Sequence, residues 1–220
     1  MQIRTAFRTL LAATALAAVA SAAVAAPTVT VVGSSMALDA GEFMIDDFDH
    51  PIAAGFTFVQ NNGAYVRSGA LGLDSGRSAP PPGDVTNYET VLGGGHATLT
   101  ALKALRSLSL YMGSPDTYNT IKFSGADGFS WTLNGAQIFN NLAPSNGDQS
   151  FGRRVSYDFG GRSVNKVEFF SAGNSFEFDS IAGTLRGGAV PEPATWGMMI
   201  LGLGAAGAAV RRRRTVLTHA

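Results

Sequence analysis

Side chains able to do chemistry are few and scattered in this 220-residue chain. Its histidines are His50, His96 and His219, and cysteine is absent. Neither a three-histidine metal site nor a nucleophile with its base and orienting group can be assembled from such a set. No catalytic residue is therefore assigned, and His96, behind Gly93-Gly94-Gly95, reads as a loop histidine. The acids offer more. Asp46, Asp47 and Asp49 form a run and Asp179 lies on the last predicted strand; carboxylates of this kind hold Ca²⁺ where N- and C-terminal strands lie side by side. The run lacks the spacing of a dedicated calcium loop, which leaves a solvated acidic turn as the alternative, and no other cofactor is expected. Asp116 and Glu168 flank predicted strands and are the candidates for a glycosidase pair, whose carboxyl groups must stand about 5 to 10 Å apart. Surface charges that keep strand edges soluble are the plainer account of both. Tyr111, Tyr118 and Trp131 are the aromatics suited to stacking on a sugar ring, although Trp131 shares a face with Phe129 and Leu133 and so fits core burial as well.

The elements that must position these residues read as β throughout. Runs rich in β-branched and aromatic residues recur at Val29 to Val32, Phe56 to Val59, Tyr88 to Leu92, Ala97 to Leu102, Ser107 to Tyr111, Thr120 to Phe123, Phe129 to Leu133, Val155 to Phe159, Val164 to Phe170 and Ser175 to Leu185. In Lys166-Val167-Glu168-Phe169, and again where Phe176 and Phe178 alternate with Glu177 and Asp179, apolar and charged side chains take opposite faces. That pattern predicts strands with one buried and one wet side. Asn62-Gly63, Asp127-Gly128, Asn134-Gly135, Gly160-Gly161 and Gly173-Asn174 supply tight turns between them. Many short antiparallel strands so punctuated predict an all-β, antiparallel two-sheet sandwich or jelly roll. Asp74 to Asn87, with Pro80-Pro81-Pro82, reads as an exposed excursion and Leu142 to Gly152 as a second loop; a short helical turn is expected near Ala101 to Arg106.

Both ends of the chain differ from this body. Arg4 and Arg8, an apolar stretch from Leu10 to Val19 and Ala23-Val24-Ala25 make residues 1–25 a secretory signal peptide. At the other end, residues 188–195 form a linker containing Pro191-Glu192-Pro193, and residues 196–210 an uncharged apolar segment opening at Trp196. The 17 residues from Ala194 to Val210 span roughly 25 Å as a helix, the short end of a membrane crossing, and lipid enforces that state despite four glycines. Arg211, Arg212, Arg213 and Arg214 then open a basic tail, residues 211–220, that stays cytoplasmic and sets direction. Residues 26–187 are left as the body. The expected order is thus signal helix, β-sandwich and transmembrane helix.

Pro-Glu-Pro, two spacer residues, Trp196, an apolar span and terminal arginines resemble the PEP-CTERM sorting tail, in its Pro-Glu-Pro-x-x-Trp-Ala variant, with Gly197 in place of the usual alanine. The resemblance covers Val190 to about Arg214. It implies recognition by an exosortase, cleavage near Pro191-Glu192-Pro193, and passage from an inner-membrane intermediate to the cell surface or extracellular matrix of a Gram-negative bacterium, a setting associated with exopolysaccharide and biofilm. Signal peptidase and the general secretion machinery are the other implied partners. Within the body, Leu108 to Phe123 and Asn174 to Ile181 are weakly similar to lectin-like or carbohydrate-binding jelly rolls.

Charge agrees with export. Between Ala26 and Gly188 ten basic residues face fifteen acidic ones, so the body stands near −5 although the whole chain sums to zero. Such a surface offers no footprint for nucleic acid. Without disulfides, the body must be held by its core alone, and about 160 residues suffice for one. The leading expectation is a non-enzymatic exported protein with a structural or polysaccharide-binding body; the alternative is a secreted hydrolase acting on exopolysaccharide. Ice binding would need ranked Thr-x-Thr pairs, and Thr28/Thr30 and Thr98/Thr100 are too few.

Overall fold

The computed structural model describes residues 24–114, 116–141, 148–187 and 200–204. Nearly all of the signal peptide, the Pro191-Glu192-Pro193 and Trp196 motif and Arg211 to Arg214 lie outside them. Residues 200–204 are helical, and among the described residues no helix is long and apolar enough to cross a membrane.

Eleven antiparallel strands build the body: β1 (Thr28–Gly33), β2 (Phe43–Asp46), β3 (Phe56–Asn61), β4 (Ala64–Ser68), β5 (Asn87–Val91), β6 (His96–Met112), β7 (Asn119–Ser124), β8 (Ser130–Asn134), β9 (Arg153–Asp158), β10 (Val164–Ser171) and β11 (Phe176–Leu185). The runs predicted at Ala97 to Leu102 and Ser107 to Tyr111 belong to one 17-residue strand, β6. Its first half pairs with β3 and β10, whereas its second half pairs with β9 and β11. One layer is therefore β3-β6-β10-β7-β8 and the other β1-β9-β6-β11-β5-β4, with β2 also bound to β11, and β6 turns the corner between them.

That corner explains why the helical turn expected at Ala101 to Arg106 is absent. The segment is rich in good helix formers, but tertiary contacts override the preference. The Leu102 N–H donates to Gly55, the Ala104 carbonyl accepts from Arg186 and the Arg106 carbonyl from Phe159, so the backbone is engaged by three separate segments. The regular alternation of Ala97, Leu99 and Ala101 then breaks. Leu102 and Lys103 are both exposed, and Leu105 returns to the core across a register shift, the mark of a β-bulge.

Aromatic contacts cross between the layers and define the core. Phe169 on β10 stacks on Phe178 on β11 at 4.4 Å between ring centroids, Phe123 on β7 meets Tyr157 on β9 at 5.1 Å, and Phe58 on β3 also reaches Phe178. Phe123, Tyr157, Phe169 and Phe178 are completely buried, which is how a sandwich without disulfides gains its stability. Asn62-Gly63 turns the chain from β3 in one layer to β4 in the other, with positive φ at both residues.

A larger difference concerns the segment read as an exposed excursion. Residues 74–87 instead run back over the outer face of the second layer. Ser78, Pro81 and Asp84 are buried, the Tyr111 hydroxyl donates to the Pro82 carbonyl at 2.7 Å, and the Ala79 N–H donates to the Glu177 carboxyl at 3.0 Å. The face predicted to be wet is thereby covered in part. Asp179 is only 2% exposed and Glu177 half-buried. On the other layer the alternation holds as read, with Val167 and Phe169 inside and Glu168 outside, ion-paired with Lys122 and Lys166.

Candidate functional site

The covering segment does not seal the face completely. A cleft of about 200 Å³ remains between residues 73–79, the end of β6 and the start of β11, with Asp116, Tyr118, Asn174 and Glu177 on its walls and Arg77 and Gln149 at its margins. Tyr118 leads into β7. Its hydroxyl donates to the Asn174 carbonyl at 2.7 Å, while its ring lies so close to Gly173 that a Cβ there would fall 3.0 Å from the ring. Glycine permits this approach, whereas a Cβ would require the ring to give by a few tenths of an ångström. The Asn174 side chain ties three segments together, accepting from the Gly93 N–H at 2.8 Å and donating to the Gly76 carbonyl at 3.0 Å.

Two carboxyl groups give the cleft its electrostatics. Glu177 accepts from the Ala79 N–H and from the Ser175 hydroxyl. Burial, helped by the neighbouring charge of Asp116, outweighs these bonds and pushes its pKa up to about 7. Near neutral pH it is therefore a hydrogen-bond donor for a large part of the time, unlike an ordinary carboxylate. Asp116 is 3% exposed and receives the Ser114 hydroxyl at 3.4 Å. Arg77 stands 3.9 Å from Asp74 and is largely in solvent, so its guanidinium can reach a ligand. A carboxylic acid, a carboxylate, amides and a phenol ring around one opening can hold a polyhydroxylated ring by alternating donors and acceptors.

Residues singled out from the sequence meet different fates. Tyr118 and Asp116 come together in this cleft. Tyr111 does not present its ring: it is 2% exposed, pinned under Pro82. Glu168, proposed as the partner of Asp116, is held by two lysines on the outer face of the other layer. Trp131 packs against Phe123 and Tyr157 while remaining half-buried, at a separate opening. His96 begins β6 and stacks on Phe170, and so is a strand residue. Glu177, Arg77, Asn174 and Gln149 were missed; only Glu177 carried a signal, as the charged member of the Phe-Glu-Phe-Asp alternation.

Three of the acids considered for Ca²⁺ accept hydrogen bonds from backbone N–H groups. Asp46 accepts from the Phe48 N–H, Asp47 from the His50 N–H and ring, and Asp49 from the Asn87 N–H. Asp179 is buried, which raises its pKa to about 7. Among the described residues no three histidine, aspartate or glutamate side chains are placed to hold a metal ion.

The tail identifies itself by comparison with known families. Residues 189–214 match the PEP-CTERM protein-sorting motif. The PEP-CTERM motif indicates an exported, membrane-processed protein bound for the cell surface, and it covers the residues on which the sequence resemblance rested. No curated protein matches the chain. Among solved structures the body is similar to a point mutant of the carbohydrate-binding module CBM29-2, at 12% identity over 66% of this chain and 92% of that one, TM-score 0.41. It is also similar to the K2 cleaved adhesin domain of Lys-gingipain, at 16% identity over 66% and 100%, TM-score 0.39. The family 11 carbohydrate-binding module of the Clostridium thermocellum cellulase Lic26A-Cel5E aligns at 14% identity over 68% and 97%, TM-score 0.27.

Proposed function

We propose that this chain is an exported surface protein, processed by an exosortase at its PEP-CTERM tail, whose β-sandwich body binds polysaccharide through the Tyr118 cleft. The observation that carries the reading is the cleft itself: one aromatic ring, its position fixed by Gly173 and Asn174, among groups that both donate and accept hydrogen bonds. Extracellular matrix polysaccharide is the ligand class at the destination the tail addresses.

Replacing Tyr118 with alanine is expected to weaken binding to the producer's exopolysaccharide at least tenfold, about 1.4 kcal/mol, in affinity electrophoresis. Tyr118→Phe, which keeps the ring, should lose about threefold or less. Equal mobility of the alanine variant and the parent would remove the cleft from the account. For the tail, replacing Pro191, Glu192 and Pro193 with alanine should leave a longer species in the inner membrane, read by intact mass. Unchanged mature length and surface delivery would remove the exosortase from it.

A second reading, glycan hydrolysis, draws on the same two carboxyl groups, because Glu177 is protonated for a large part of the time near neutrality while Asp116 shares its cleft. It requires turnover. Release of reducing ends that stops in Glu177→Gln would establish it, and binding without product leaves the non-enzymatic reading standing.

A further inference from the structure

A second opening lies where the outermost strands of the two layers, β1 and β8, face each other at the margin of the sandwich. It encloses about 380 Å³ and runs from Pro27 past Val29, Trp131 and Leu133 to Gln137, Asn140 and Asn141. Among the described residues no charged side chain lines it.

Its geometry follows from local sequence. The 3-10 helix Gly135–Phe139 follows β8 directly, and the Gln137 Oε1 accepts the Asn134 N–H at 3.0 Å, which fixes that side chain at the rim. Asn140 and Asn141 end the turn with φ of 53° and 61°, a left-handed conformation that asparagine tolerates. Their backbones are held by N–H bonds to the Gln137 and Ala136 carbonyls, while both residues remain exposed. Trp131, on the same side of β8 as buried Leu133, rests against Phe123 at 5.3 Å and Tyr157 at 6.3 Å and stays half-buried at the opening.

An indole beside three carboxamides is a specific combination. The aromatic surface suits the C–H face of a pyranose, and each amide both donates and accepts, matching ring hydroxyls. The absence of charge in the lining disfavours uronate, sulfate and amine groups. The opening is also well short of enclosing a folded partner, but its volume lies within the range of sites for small ligands. We propose that this opening is a second glycan-contact site, distinct from the Tyr118 cleft, that takes a neutral pyranose ring against Trp131 and the amides of Gln137, Asn140 and Asn141. The ligand class rests on the polysaccharide reading; the site does not depend on the first cleft.

The test uses the full-length chain in zwitterionic micelles, which carry no sugar, with Trp196→Phe so that Trp131 is the sole indole. Titration with cellohexaose, laminarihexaose and mannohexaose, followed by tryptophan fluorescence, should give a saturable change with at least one of them. Asn141→Gly, which suits a positive φ and removes one amide, should weaken that response five- to tenfold with no fall in Tm. Gln137→Glu, which keeps an acceptor for the Asn134 N–H but introduces charge, should weaken it similarly in calorimetry and guards against any loss of fold in the first variant. Tyr118→Ala should leave the indole response intact. The site is rejected if no hexasaccharide changes the fluorescence, if both rim variants bind like the parent, or if Tyr118→Ala abolishes the signal. An indole response that persists while Tyr118→Ala leaves exopolysaccharide binding unchanged would overturn the first cleft alone.

Discussion

Arg154→Ala should destabilise the body by about 3–5 kcal/mol, the range for stripping one partner from a buried charged network. Arg154 is 1% exposed and stands on β9 beneath the segment leading from β1 to β2. Its guanidinium donates to the Ser109 hydroxyl at 2.7 Å, the Met36 carbonyl at 2.8 Å and the Ser180 carbonyl at 3.0 Å. Ser109 in turn donates to the Glu42 carboxylate at 2.8 Å, so the cation is balanced through one hydroxyl. Alanine would leave buried acceptors without donors and a cavity beside them, each a cost in itself. In a domain of this size the loss corresponds to a Tm lower by roughly 10 °C or more. Arg154→Lys should recover only part of it, because one ammonium cannot reproduce the planar fork across three acceptors. A Tm within about 3 °C of the parent for the alanine variant would show that the network contributes little.

Stability should also fall as pH rises from about 4 to 8, the reverse of the rise expected where carboxylates are stabilised by folding. Glu89 is completely buried on β5, with Gln60 donating to one oxygen and, among the described residues, no partner for the other. Burial raises its pKa to about 8, and Glu177 and Asp179 stand at about 7 for the same reason. All three lie above their unfolded values, so the folded state holds protons that the unfolded state releases. The stabilisation this gives is fully present below about pH 4 and is lost progressively above it, the loss being complete at about pH 7 for Glu177 and Asp179 and about pH 8 for Glu89. For Glu89 alone the difference is on the order of a few kcal/mol. Glu89→Gln keeps a neutral group of the same shape and should flatten the decline above pH 7 in thermal melts from pH 5 to 9. A Tm that is level or rising across that range, or a decline untouched in Glu89→Gln, would contradict the neutral state of the buried acid.

These two groups mark where sequence reasoning stopped. Strands announced themselves through alternation, because a half-buried strand must place apolar side chains at every second residue. Val167 and Phe169 on β10 and Phe176 and Phe178 on β11 obey that rule. The same rule misled on the opposite side of β11. It assigns Glu177 and Asp179 to water, since nothing local reveals that residues 74–87 fold back over them. Ala101 to Arg106 reads as helix for a related reason: its propensity is local, whereas the partners at Gly55, Phe159 and Arg186 are distant in sequence. β2 (Phe43–Asp46) and β4 (Ala64–Ser68) were not among the predicted runs. Of the cleft, Tyr118 and Asp116 were legible by residue type. Glu177, Asn174 and Arg77 join them only through a topology that brings β11 and the covering segment to the end of β6. The tail was legible because a membrane-directed segment is written in consecutive residues.

The most direct test is calorimetric titration of the protein recovered from the native cell surface with the producer's own exopolysaccharide, with reducing ends assayed in the same samples. Saturable heat without new reducing ends is the predicted result. No heat at millimolar sugar would contradict polysaccharide binding, and steady release of reducing ends would make the body an enzyme.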